Sequence, residues 1–149
     1  MRKMLILMGL PASGKSSFAA KFIADNTSYR RVNKDSIREM INFSAWTRKG
    51  ESLVQSIRDA VIHEILTAGY DVVIDDTNLQ QVHLDRFEQL AEYYGCELAF
   101  KYFDVPLEEC ITRDLERMKC VGETVIRRLW ETRTVNVDKY KCGEYINIC

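Results

Sequence analysis

Apolar residues run without a break through KMLILM (residues 3–8) and stop at a loop of small residues, Gly9 to Ser16. Such a run reads as a strand buried on both faces, because polar alternation disappears when neither face meets water. The spacing becomes helical over 16–25 (SSFAAKFIAD), and a short strand around 30–33 leads into a helix opened by Asp35. A polar connection with one tryptophan, 44–50 (SAWTRKG), comes next. Leu53, Ile57, Val61 and Ile65 then recur at every fourth residue, predicting an amphipathic helix from Glu51 to Ala68 that Gly69 ends. Residues 72–74 (VVI) make another buried strand, running into Asp75, Asp76, Thr77 and Asn78. The pattern predicts a helix over 81–94 capped by Gly95, a strand over 96–105, and a helix from Pro106 to about Met118. Gly122 interrupts before a last helix from Thr124, and the tail 138–149 receives no assignment.

Strands alternating with helices imply right-handed crossovers. The expected fold is α/β, a central parallel β-sheet of four to five strands covered by helices on both faces. No repeat or linker divides the chain, so residues 1–149 are read as one domain. Ligands of such sheets gather at the carboxyl ends of the strands. Three stretches arrive there together: Gly9–Ser16, Asn33–Arg38 and Asp75–Asn78.

Composition changes this picture little. The 149 residues are 46% hydrophobic and 29% charged, which excludes a disordered or collagen-like chain. No apolar run approaches the roughly 20 residues of a membrane span. The opening MRKMLILMGLP imitates a signal peptide, but its apolar part is short and enters the glycine loop directly, so a cytoplasmic protein is expected. The five cysteines, Cys96, Cys110, Cys120, Cys142 and Cys149, are odd in number and lack C-x-x-C spacing. Reduced structural thiols are the expected state. Charge is uneven: residues 1–50 hold ten Lys/Arg against three Asp/Glu, and residues 51–100 hold two against ten. A basic mouth from the first third, or a dipolar surface that aids solubility, accounts equally well for this. A homo-oligomer is compatible with the sequence, which does not fix oligomeric state.

GLPASGKS (9–16) matches G-x-x-x-x-G-K-[ST] in full, between a buried strand and a helix. Glycines at 9 and 14 let backbone N–H groups turn inward to form an anion nest at a helix N-terminus. Lys15 is expected on the β- and γ-phosphates and Ser16 on Mg²⁺. The nucleotide-binding stretch comprises Gly9, Pro11, Ala12, Ser13, Gly14, Lys15, Ser16 and Ser17. GTPases carry D-x-x-G and N-K-x-D; no glycine here has an aspartate three residues before it, and NKDS (33–36) ends in serine. Larger ring-forming ATPases usually place a glutamate after the second aspartate motif, whereas VVIDDTN offers none. A small kinase is left, using ATP or another NTP.

A kinase needs an acceptor for the proton of the attacking hydroxyl. Asp35 can fill that role, with Arg38 one turn later holding an anionic acceptor. A helix N-cap aspartate with an i+3 partner explains the same pair. Asp76 can orient Arg38 or a metal-bound water, and Asp75 can do the latter instead. Arg113 and Arg117, spaced i and i+4, suit a lid over about 113–124 that neutralises the donor, or a solvated ion-pair face with Glu109. Trp46, Arg48 and Lys49 suit an acceptor channel, or a core tryptophan beside a basic turn.

GLPASGKS, VNKDSIREM, VVIDDTNL and YFDVPLEECITRDLER, in this order, resemble the kinase domain of bacteriophage polynucleotide 5′-hydroxyl kinase, a small P-loop kinase family. WTRKGESL (46–53) is similar to its connecting segment, and the resemblance covers about Met1 to Trp130. It implies a kinase acting on a DNA or RNA 5′ end with ATP and Mg²⁺. It implies Asp35 as base, Arg38 on the phosphate beside the hydroxyl, Asp76 supporting Arg38, and Lys15, Ser16 and Arg117 on the donor, with Arg113 a weaker donor contact. No acid-phosphatase signature such as D-x-D-G-T appears, so 3′-phosphatase activity is not expected. Relatives with the same core phosphorylate other hydroxyls, including hydroxymethyl-pyrimidines in phage DNA and small nucleosides or sugars. A non-catalytic ATP sensor is the alternative of another class.

Overall fold

The computed structural model describes residues 1–43, 45–141 and the backbone of 146–147. β1 (Lys3–Met8) is apolar and buried from Met4 onward because it divides two cores. Met4, Ile6 and Met8 face the larger one, Leu5 and Leu7 the smaller. β1 lies between two parallel neighbours, β3 (Asp71–Asp75) and β4 (Glu97–Tyr102), with Leu5 opposite Val73 and Ala99. β2 (Tyr29–Val32) joins β3 in parallel, and the two-residue β5 (Ile146–Asn147) pairs antiparallel with β4. The order β2-β3-β1-β4-β5 gives four parallel strands and one antiparallel edge, within the expected four to five.

Helices cover both faces. α1 (Lys15–Asp25) sits on the smaller core through Phe18, Ala19 and Phe22. The larger core is closed by α3 (Arg48–Thr67), α4 (Gln81–Tyr94), α5 (Leu107–Leu115) and α6 (Glu123–Glu131). α2 (Lys34–Met40) follows β2 at the carboxyl edge of the sheet and contributes Ile37 to that core. Beyond α6 a 3₁₀ turn, Val137–Tyr140, also packs Val137 and Tyr140 there, giving part of the unassigned tail a structural role. Cys142 and Cys149 lie outside the described residues, while Cys96, Cys110 and Cys120 are free thiols. Among the described residues no helix is long and apolar enough to cross a membrane.

Two helices depart from the expected pattern. On α3 the fully buried row is Val54, Arg58, Ile62 and Leu66, one residue later than the expected row, and Leu53 is exposed. The shift has a physical cause in Arg58. Its guanidinium lies 4.8 Å from the Phe87 ring and donates to Asp59 Oδ1 at 2.8 and 3.0 Å, so a cation occupies a core position. Hydrophobic periodicity counts that position as polar. The helix after Pro106 stops at Leu115 instead of Met118, because the buried Asp114 side chain draws the following chain back upon itself.

Candidate active site

The loop between β1 and α1 is shaped by backbone that bends where side chains cannot follow. Gly9 has φ +151°, its N–H donates to Thr77 O at 3.0 Å, and a Cβ there would meet Ser13 Oγ at 2.9 Å. Gly14 (φ +100°) precedes α1, and Ala12 adopts φ +63° within the turn. No side chain caps α1. Its first-turn N–H groups and partial positive charge therefore suit an anion, and Ser16 and Ser17 stand exposed beside them. Lys15 is buried, and its Nζ donates to Gly9 O at 2.8 Å, Leu10 O at 2.7 Å and Ser13 Oγ at 3.4 Å. Burial lowers its pKa to about 8, against the opposing pull of Asp75. A lysine that pays this desolvation gains most by meeting a phosphate.

At the mouth of α2 the structure separates the roles of two polar residues. Asn33 is the N-cap, its Oδ1 accepting from Ser36 N at 2.9 Å, and its amide donates to Asp75 O. Asp35 is therefore not the cap. Its side chain is 85% exposed and accepts from Arg38 Nη1 at 2.6 Å, so the i+3 pair does exist. The opposite edge of Arg38 is held by Glu51 in the first turn of α3, with Nη2 to Oε1 at 2.7 Å and Nε to Oε2 at 3.2 Å. Lys34 Nζ approaches the same carboxylate at 3.4 Å. Burial opposes Glu51's charge, but Arg38 and Lys34 hold its pKa below the usual carboxylate value. Burial likewise opposes Arg38's charge, and Glu51 and then Asp35 more than offset it.

Glu51 makes hydrogen bonds to Arg38 where Asp76 makes none, and Asp76, expected to support Arg38, acts on it through charge. Asp76 Oδ1 accepts from Lys34 N at 2.9 Å, and burial pushes its pKa up. Asp75 is committed to β2, its Oδ2 accepting from Arg31 Nε at 2.8 Å and Nη2 at 2.5 Å. Asp75 Oδ1 and Asp76 Oδ2 are buried without a hydrogen-bond partner among the described residues. Asn78 is structural: in the left-handed region (φ +48°) it donates to Leu7 O at 2.7 Å, tying the end of β3 to β1.

Between α5 and α6, residues 116–122 turn around the carboxylate of Asp114. Its oxygens accept from Val121 N at 3.0 Å and Gly122 N at 2.8 Å, and Arg117 Nη1 adds a contact at 3.3 Å. These partners overcome burial and lower the pKa of Asp114. Because α5 ends at Leu115, Arg113 and Arg117 do not share a helix face. Arg113 pairs with Glu109 at 2.5 Å on the surface, the solvated ion-pair reading, while Arg117 lines the cleft. Lys119 reaches Glu39 of α2 at 3.7 Å, bringing this loop to the far wall.

These parts enclose one cleft of about 370 Å³, lined by Pro11, Ala12, Lys15, Ser16 and Ser17 of the loop and by Asn33, Lys34, Asp35 and Arg38 of the second wall. Asp75, Asp76 and Thr77 lie at its floor, and Arg117 and Val121 close it. Gly9, Ser13 and Gly14 shape the loop without lining the cleft. Sequence reasoning missed Glu51 and Asp114. An acidic residue in a helix's first turn and one in a last turn are common, and only their partners distinguish these two.

A family described as an AAA domain matches residues 4–135. The chain belongs to that family. It is 27% identical over 141 residues to L-seryl-tRNA(Sec) kinase of Methanococcus maripaludis, covering 92% of this chain and 54% of that protein. It is 25% identical over 130 residues to a candidate bifunctional polynucleotide kinase/RNA ligase of Autographa californica nuclear polyhedrosis virus, covering 78% of this chain and 18% of that one. A chain in the structure of the Pnkp1/Rnl/Hen1 RNA repair complex superposes with a TM-score of 0.81 at 28% identity, over 99% of this chain and 49% of that one. A gluconokinase from Sinorhizobium meliloti 1021 shares the fold, with a TM-score of 0.63 at 22% identity over 96% of this chain and 81% of that one. The chain thus spans about half the length of the seryl-tRNA(Sec) kinase and of the repair-complex chain, and less of the viral protein. Family and fold imply a nucleotide phosphate donor.

Proposed function

We propose that residues 1–149 act as a single kinase unit, without phosphatase activity, that transfers the γ-phosphate of ATP to a 5′-hydroxyl end of DNA or RNA. The observation that carries this reading is Arg38, clamped by Glu51 on one edge and touching Asp35 on the other, in the same cleft as the phosphate loop. Glu51 fixes the plane of the guanidinium, so its remaining N–H groups can take the phosphate beside the acceptor hydroxyl. Asp35, exposed in the cleft wall, accepts the proton as that hydroxyl attacks. Lys15 exchanges the Gly9 and Leu10 carbonyls for the β- and γ-phosphates, and Arg117 meets the transferring group from the lid. Positioning and charge neutralisation supply most of the rate in this chemistry.

Ser16 and, through water, Asp75 or Asp76 would hold Mg²⁺, which would supply positive charge to neutralise the donor phosphates. Asp75 and Asp76 each keep one buried oxygen without a hydrogen-bond partner among the described residues, which fits that task, while the other oxygen of Asp75 accepts from Arg31 and that of Asp76 from Lys34 N.

The names of the viral relative and of the repair complex support a polynucleotide acceptor. The broader coverage of the seryl-tRNA(Sec) kinase favours a second reading, in which the hydroxyl belongs to an aminoacyl group carried on tRNA. Transfer from γ-labelled ATP with Mg²⁺ to a 5′-hydroxyl oligonucleotide, beside the same oligonucleotide already 5′-phosphorylated, separates them. Label only on the free 5′ end supports the first reading. Label on neither, but on seryl-tRNA, replaces it with the second.

A further inference from the structure

The two tryptophans of this chain are treated differently. Trp130 is stacked by Arg133, 3.6 Å from its ring, and packs against the core. Trp46 is 71% exposed, which overturns the core reading of that residue. Its backbone is nevertheless anchored on both sides. Thr47 caps α3, its Oγ1 accepting from Gly50 N at 3.0 Å, and Phe43 N donates to Arg38 O at 2.9 Å. The Phe43 ring packs against Gly50, where a Cβ would collide with Cε2. An indole on anchored backbone is thus presented to water, and Met40, Arg48 and Lys49 at the end of α2 and the start of α3 are exposed as well.

Its place relative to the cleft follows from α3. Thr47 and Glu51 are one turn apart, about 6 Å of axial rise, and Glu51 grips Arg38. The lid reaches Glu39 on α2, so the cleft mouth is bounded on one side by the end of α2. The connection that carries Trp46 joins α2, which holds Asp35 and Arg38, to α3, which holds Glu51. Exposed aromatic faces flanked by cations hold single-stranded bases by stacking while the cations follow the backbone.

We propose that Trp46 is a stacking platform for a base of the acceptor strand, one or two nucleotides inward from the reacting hydroxyl. The inference rests on the polynucleotide reading above and adds a second acceptor contact to it. It makes acceptor length, rather than base identity, the quantity the protein measures, because every base presents a π-face.

The test compares wild type and Trp46→Ala on a 3′-phosphorylated nucleoside, a 5′-hydroxyl dinucleotide and a 5′-hydroxyl tetranucleotide. Wild type should show a KM advantage for the tetranucleotide over the nucleoside, and Trp46→Ala should cut that advantage by about five- to a hundredfold. Trp46→Phe should restore most of it. The tetranucleotide should also quench the tryptophan fluorescence of wild type and not that of Trp46→Ala. An undiminished length advantage in Trp46→Ala, in an enzyme that labels oligonucleotides, overturns the platform and leaves the polynucleotide reading standing. Wild type that labels none of the three acceptors overturns both.

Discussion

Replacing Glu51 by alanine removes two of the three hydrogen bonds that hold Arg38, those at 2.7 and 3.2 Å, and leaves only Asp35. Charge-assisted bonds of this kind contribute about 1.5–3 kcal/mol each when shielded. The side chains are 26% and 14% exposed, so water replaces part of what is lost and the lower end applies to the pair. The expected loss is about 2–3 kcal/mol of acceptor positioning, or roughly 30- to 150-fold in acceptor kcat/KM. Glu51→Gln retains the shape and one acceptor but no charge, and should fall about tenfold. Steady-state rates with ATP and a 5′-hydroxyl oligonucleotide, each varied in turn, read this directly. The KM for ATP should hold. Because the folded pKa of Glu51 lies below 4.5, its contribution is complete above that value and is lost as pH falls through the lowered one. The defect of the alanine variant should therefore be constant from about pH 6 to 8. Unchanged acceptor kinetics in Glu51→Ala, or a defect confined to ATP, would refute the clamp.

Asp35→Asn should bind nucleotide normally yet lose on the order of 10²-fold or more in turnover, which single-turnover transfer would measure. Lys15, with a pKa of about 8 in the protein, must be protonated to meet phosphate, so nucleotide affinity should be flat below pH 8 and fall about tenfold per unit above it. Calorimetry at pH 8 in buffers of different ionisation enthalpy should show roughly half a proton taken up; no uptake would contradict the contact. Asp114→Asn loses a charged acceptor for Val121 N and Gly122 N, and should lower stability by on the order of 2 kcal/mol, or about 5 °C in Tm, while raising the KM for ATP through Arg117. Gly50→Ala drives a methyl into Phe43 and should cost roughly 1–3 kcal/mol in urea unfolding, with most of it recovered when Phe43→Leu is added.

The phosphate loop was fully legible in the chain because its chemistry is local. Eight consecutive residues set the turn, the helix start and the lysine, and the apolar run before them can only be a strand covered on both faces. The alternation of elements likewise determined the parallel sheet and the edge where Gly9–Ser16, Asn33–Arg38 and Asp75–Asn78 meet. What only the tertiary structure decided is which charged side chains touch. Arg38 and Glu51 belong to different helices, and Arg31 and Asp75 to neighbouring strands 44 residues apart in sequence. One oxygen of Asp75 is thereby held by Arg31 and one of Asp76 by Lys34 N, and both residues line the cleft. The end of α5 at Leu115 sends Arg113 to the surface and Arg117 to the cleft, although their spacing is that of one helix face. Arg58 entered the core against its own polarity because Phe87 and Asp59 come to meet it. Periodicity reports what each residue prefers against water, and these pairings depend on partners that exist only once the strands have taken their order.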